Sequence, residues 1–161
     1  MAENFANGAC SRKERYRARC AAMLFLLRRN ESGGQEILLQ KRQNTGYADG
    51  MWDTAAAGHG EEGEPLTETL IREAREELGI EILPEHVRFA TFTYKPEYCN
   101  GFFAVERWKG EPRICEPEKC GEIRWFPLAA LPDTLLDDRR AAIQNFLEGV
   151  PYSEYGWSKR S

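Results

Sequence analysis

An α+β fold built on a mixed sheet is the class predicted for this 161-residue chain, and three observations carry it. Five short apolar stretches have strand character, some close enough together to form hairpins. Two longer stretches repeat with helical period. The composition, 42% apolar and 30% charged, is that of a soluble globular domain, and a chain this long buries about two-thirds of its unfolded surface.

Residues 1–18 read as a polar N-terminal arm ending in the basic "RKERYRAR", and 19–161 as a single domain. The first twenty residues contain no apolar h-region, so no signal peptide is expected. The longest apolar run, "CAAMLFLL", has eight residues against the ~20 that span a membrane, so no membrane partner is expected. "CAAMLFLLRR" (20–29) and "QEILLQKR" (35–42) read as strands joined by the turn-rich "NESGG". "QNTGYADGMWD" (43–53) reads as a loop carrying Tyr47 and Trp52. "TAAAGHGEEGEP" (54–65) runs small and glycine-rich into a helix over 65–78, with Pro65 in its first turn and Gly79 at its C-cap. Strands follow at 86–94, 100–108 and 121–126, with Phe102, Phe103 and Trp125 expected in the core, then a second helix over 133–149.

Five cysteines at irregular spacing, without a CxxC, read as reduced thiols of a cytoplasmic protein rather than a disulfide framework or zinc site. A net charge of −4 leaves little excess to neutralise nucleic-acid phosphates, so a nucleic-acid partner is not expected. A phosphate-ester ligand would need positive charge from elsewhere.

The first helix offers a source. "REAREELGI" sets Glu73, Glu76 and Glu77 within about one turn, although like charges four apart cost a few tenths of a kcal/mol per pair. With Leu66 at zero, Leu66, Leu70, Ile71, Ala74 and Leu78 fill an arc of roughly 140° that packs on a sheet. Glu73 and Glu76 flank the arc, while Glu77 falls inside its edge at roughly 20°. A solvated acidic face accounts for Glu68 but poorly for Glu77, because an unpaired carboxylate among apolar groups is costly. A hard divalent cation resolves this, since Mg²⁺ takes carboxylate oxygens and bridges them to phosphates. Arg72 is placed to clamp one of the carboxylates.

The wider stretch "GHGEEGEPLTETLIREAREELGI" (58–80) resembles the Nudix hydrolase signature. Gly58, Glu64, Arg72, Glu73, Glu76, Glu77 and Gly79 occupy its fixed positions, and seven such letters coincide by chance about once in 10⁸ windows. The resemblance implies an α/β/α sandwich around a mixed central sheet. It implies Mg²⁺- or Mn²⁺-dependent cleavage of a nucleoside diphosphate linked to another group. It assigns Glu73, Glu76, Glu77 and the Ala57 carbonyl to the metal, with Arg72 beside the catalytic glutamates Glu76 and Glu77. Gly58, Glu64 and Gly79 support the motif. "ERWKGEP" followed by Glu116 is similar to the MutT branch, where a Glu at this spacing joins the metal site and serves as general base; Glu118 and Glu122 are substitutes.

Arg42, Tyr47 and Trp52 precede the signature, where family loops reach the cleft, and are the expected substrate contacts. Pro96 points to ADP-ribose pyrophosphatases and Tyr98 to dinucleoside polyphosphate hydrolases, and the two cannot both hold. "WFPLAALP" (125–132) is similar to MutT-type members, while "DTLLDDRR" lacks a match to their base-reading Asn. The partner implied is a small nucleotide, most directly a nucleoside triphosphate, and a homodimer is compatible with the resemblance. The alternatives are an RNA 5′-end pyrophosphohydrolase and a nucleotide-sensing module without catalysis. A sensor should have lost signature acids, and this chain keeps them all.

Overall fold

The computed structural model describes residues 15–158, so most of the expected N-terminal arm lies outside the described residues. Strand β1 (Arg19–Arg29) is the hub. Its first half pairs in parallel with β6 (Tyr98–Val105) and antiparallel with the short β4 (Ala57–His59); its second half pairs antiparallel with β2 (Gln35–Arg42). Beyond β2 lie β3 (Trp52–Thr54) and β7 (Cys120–Pro127), and beyond β6 lie β5 (Arg88–Lys95) and a parallel β8 (Tyr152–Glu154). The sheet is mixed, as the sequence predicts.

Helices α1 (Leu66–Leu78) and α2 (Asp137–Glu148) cover opposite faces, which explains the unbroken apolar run of β1. Ala22, Leu24 and Leu26 face Leu70, Ala74 and Leu78 of α1. Ala21, Met23, Phe25 and Leu27 face the layer that holds Ala142 and Ile143 of α2. This is the α/β/α sandwich. Phe102 and Phe103 enter the core on opposite faces, and Trp125 packs at its margin, stacked on Trp108.

Three strands escape sequence reading. β3, β4 and β8 are three residues long, and Ala57-Gly58-His59 has little intrinsic strand preference; the free edge of β1 imposes it. β6 ends at Val105, so 106–108 leave the sheet. The second helix begins at Asp137, not 133. Leu135 and Leu136 supply helical-looking apolar spacing, yet they are buried in a turn stitched to Trp52 by backbone hydrogen bonds of 2.9 and 3.1 Å. No helix is long and apolar enough to cross a membrane. Cys20, Cys99, Cys115 and Cys120 are free thiols.

Candidate active site

The last turn of α1 stops at Gly79, which takes the left-handed conformation (φ 66°) that frees the chain to turn away. Its terminal carbonyls are capped from a distance: the Arg113 and Cys115 amides donate to Leu78 and Glu77, each at 3.0 Å. That stitching brings Glu116 into the cleft beside Glu73, Glu76 and Glu77. The cleft measures about 380 Å³, and Gln40 and Ala57 form its floor.

Each acid is held differently. The Glu73 carboxylate lies across Gly58, where a Cβ would come within 2.1 Å of its oxygen, so only glycine fits. Arg72 does not line the cleft. Its Nε and Nη2 each donate to Glu64 at 3.0 Å, and Nη1 donates to Glu73 at 2.6 Å and Glu76 at 3.3 Å. Arg72 is thus a positioning group, and Glu64 anchors it while accepting the Thr69 hydroxyl at 2.6 Å. These bonds, led by those from Arg72, hold the Glu64 carboxyl down at about 2.

Glu77 is the exception. Burial, then the Glu73 and Glu116 charges, push its carboxyl up to about 8, against relief from only the Gln40 amide at 3.3 Å and the Ala57 N–H. No cation among the described residues touches it: Arg72 faces the other acids, and Lys119 pairs with Glu116 at 3.3 Å. An all-oxygen donor set with a half-buried, uncompensated acid suits a hard divalent cation. As they stand, no group of three or more His, Cys, Asp or Glu side chains among the described residues is placed to hold a metal ion by itself. A site that takes a few carboxylates and completes itself with water and substrate phosphate does not require such a group.

A second lobe of about 470 Å³ continues from the same floor, sharing Arg42, Asp53, Ala57 and Gly58 with the acidic lobe. The β2–β7 register slips between Lys41 and Arg42, and Arg42 enters the cleft there, pairing with Asp53 at 2.9 Å and lying over the Tyr47 ring. Tyr47 is exposed at the mouth. Trp52 requires correction: it is 5% exposed, packed edge-on against Phe126 in the core, and absent from both lobes. Its aromatic character, read as a stacking surface, serves packing instead. Glu118 is an exposed loop residue, and Glu122 pairs with Arg124 on the outer sheet.

Several residues of this lobe escape sequence reading. Asp53 is buried and accepts Arg139 Nε at 2.7 Å; Arg139 also donates to Asp138 at 2.7 Å, and Lys95 to the same Asp138 at 2.5 Å. The signal that could have flagged them is charge in apolar context, an Asp in the buried "WDT" and an Arg on the inner face of α2. Their mutual pairing crosses 86 positions and leaves no local trace.

Residues 18–147 match the family profile described as NUDIX domain. The chain is 31% identical over 100 residues to the NAD-capped RNA hydrolase NudC of Stutzerimonas stutzeri, covering 62% of this chain and 34% of that one. It is 33% identical over 123 residues to the uncharacterized Nudix hydrolase PA4841 of Pseudomonas aeruginosa, covering 73% and 66%. The chain therefore spans about a third of the length of the first relative and just under two-thirds of the second. Its fold is similar to the crystal structure of a MutT NUDIX hydrolase from Burkholderia pseudomallei, with a TM-score of 0.68 and 24% identity over 80% of this chain and 98% of that one.

Proposed function

Since this chain belongs to the NUDIX domain family, which its residues 18–147 match, we propose that it is a divalent-cation-dependent pyrophosphohydrolase of nucleoside diphosphate derivatives. The finer reading is conversion of a nucleoside triphosphate to its monophosphate and pyrophosphate. The observation that carries it is Glu77, a half-buried acid pressed by two others, with no cation in contact with it among the described residues.

In this reading Glu73, Glu76, Glu77, Glu116 and the Ala57 carbonyl hold Mg²⁺ or Mn²⁺. When bound, the cation supplies charge neutralisation at the phosphoryl group and acidifies water. The rest falls to the chain. Arg72 keeps Glu73 and Glu76 aimed into the cleft, with Glu64 fixing Arg72. Glu116 takes the proton of the attacking water on its carboxylate, which Lys119 contacts at 3.3 Å. Arg42 and Lys119 offset the substrate's negative charge at the junction of the lobes.

A second reading is cleavage of a dinucleotide diphosphate such as the NAD cap named for the relative NudC. The continuous double lobe favours it, because a diphosphate at the acidic wall leaves space for a nucleoside beyond.

A product-release assay on the purified chain tests both. It should cover the four nucleoside triphosphates, ADP-ribose, NDP-sugars, dinucleoside polyphosphates, and triphosphorylated and NAD-capped RNA. Cleavage of at least one, abolished by EDTA and restored by Mg²⁺ or Mn²⁺, is the expected result. Binding without release across the whole panel would overturn the hydrolase reading in favour of a sensor.

A further inference from the structure

Two thiols away from the cleft meet across the central strands. Cys20 at the start of β1 and Cys99 at the start of β6 are direct partners in the parallel register, between Arg19↔Tyr98 and Ala21↔Asn100. Partners in register point to the same side of a sheet. Here that side is the α1 face, where Ala22 packs on the helix and Gly101 lies against Leu66. Ala21 and Asn100 take the opposite side and wall the second lobe, so the sheet itself separates the thiols from that lobe.

The spacing suits a covalent bond. Adjacent strands run about 4.8 Å apart, inside the roughly 4.4–6.8 Å of Cα separation that a disulfide spans. Both thiols are free, so the fold forms without a bond between them. Cys20 is exposed and Cys99 half-buried, so a reagent arriving from solvent meets Cys20 first. Burial, then the Cys20 sulfur beside it, raises the Cys99 thiol above its ordinary value. The approach to Cys20 is basic: the exposed Arg15, Arg17 and Arg19 lead into it, against Glu97 in the turn that leads into β6. Positive charge near a thiol favours its thiolate and draws in anionic reagents.

We propose that Cys20 and Cys99 are a redox modification site, closed into a reversible disulfide by an acidic low-molecular-weight disulfide from solution. The Cys20 thiolate attacks one sulfur of the reagent, whose S–S bond breaks and expels the first small thiolate. The Cys99 thiolate then attacks the Cys20 sulfur of this mixed disulfide, forming the Cys20–Cys99 bond and expelling the second. The chain gives up two electrons and two protons, and the reagent takes them up as two thiols. Because the second step joins groups already side by side, it proceeds at a high effective concentration and outruns release of the mixed disulfide. Excess small thiol runs the same exchange backwards. The site is independent of the hydrolase reading.

Peptide mapping tests it. The purified full chain, reduced and freed of reductant, is incubated with oxidised glutathione, blocked with N-ethylmaleimide and mapped by mass spectrometry without reduction. The expected result is one pair of peptides joined through Cys20 and Cys99, in a chain lighter by about 2 Da with no glutathione attached, and both thiols recovered with dithiothreitol. Cys99→Ser should stop at glutathione on Cys20. Cys20→Ser should take up glutathione at Cys99 on the order of tenfold more slowly than Cys99→Ser does at Cys20. Glutathione retained on Cys20 of the unaltered chain, Cys20 joined instead to Cys10, Cys115 or Cys120, or no reaction at Cys20 would each overturn the proposal. If a serine variant does not fold, the map of the unaltered chain decides alone.

Discussion

Replacing Glu77 by Gln is expected to lower kcat on the order of 10³-fold at saturating Mg²⁺ while leaving the fold intact, the loss of a ligand whose charge supplies several kcal/mol. The side chain keeps its size and its contact with Gln40, so packing is undisturbed. The same change should stabilise the metal-free protein. The Glu77 carboxyl rises from 4.5 to about 8 on folding, chiefly through burial. Above 4.5 the unfolded chain is ionised at this position and the folded chain is not, so wild-type stability falls as pH rises from 4.5 to 8 and levels off beyond. The Gln variant lacks that slope. Melting in EDTA should show the two proteins equal near pH 4.5 and the variant higher at pH 8.5, by roughly 3–8 °C if about 1–2 kcal/mol is recovered. Near-normal turnover, or a variant that melts lower at pH 8.5, would contradict the assignment.

The second large effect falls on stability. Asp53→Ala is expected to cost about 3–5 kcal/mol, because it leaves Arg139 charged and buried with half its pairing gone. In a domain of this size that lowers the melting temperature by roughly 6–20 °C. Burial alone would raise the Asp53 carboxyl, but Arg139 and Arg42 hold it below its ordinary 3.8. Its contribution is therefore complete above 3.8 and is lost as the pH falls from there through its depressed folded value. A double variant, Asp53→Ala with Arg139→Met, should recover part of the loss by removing the orphaned charge. A single variant melting within 2 °C of wild type would show the network to be dispensable.

The acidic wall was legible because helical geometry is short-range: a spacing of three and four along α1 fixes which side chains share a face. Gly58 and Gly79 were legible for the same reason, since a close approach and a left-handed cap each demand glycine. Glu116 could be named from its spacing, but its arrival at the cleft depends on amides of residues 113 and 115 capping α1. The second lobe was not legible. Asn100, Asp53, Lys95 and Arg139 come from β6, β3, β5 and α2, and only sheet order makes them neighbours. Trp52 misled because a tryptophan in a glycine-rich loop resembles a stacking platform, and only β7 across β2 reveals Phe126 beside it.

The most direct test is calorimetric titration of the metal-free chain with Mn²⁺ and Mg²⁺ from pH 6.5 to 9.5, in buffers of differing ionisation heat. Ligation requires the Glu77 carboxylate, so binding below about pH 8 must expel the proton held there. Submillimolar to millimolar affinity that rises about tenfold per pH unit up to about 8, with close to one proton released at pH 6.5 and almost none at 9.5, is the expected result. No heat of binding at millimolar cation, or an affinity indifferent to pH with no proton released, would contradict the assignment of this acidic wall to a metal.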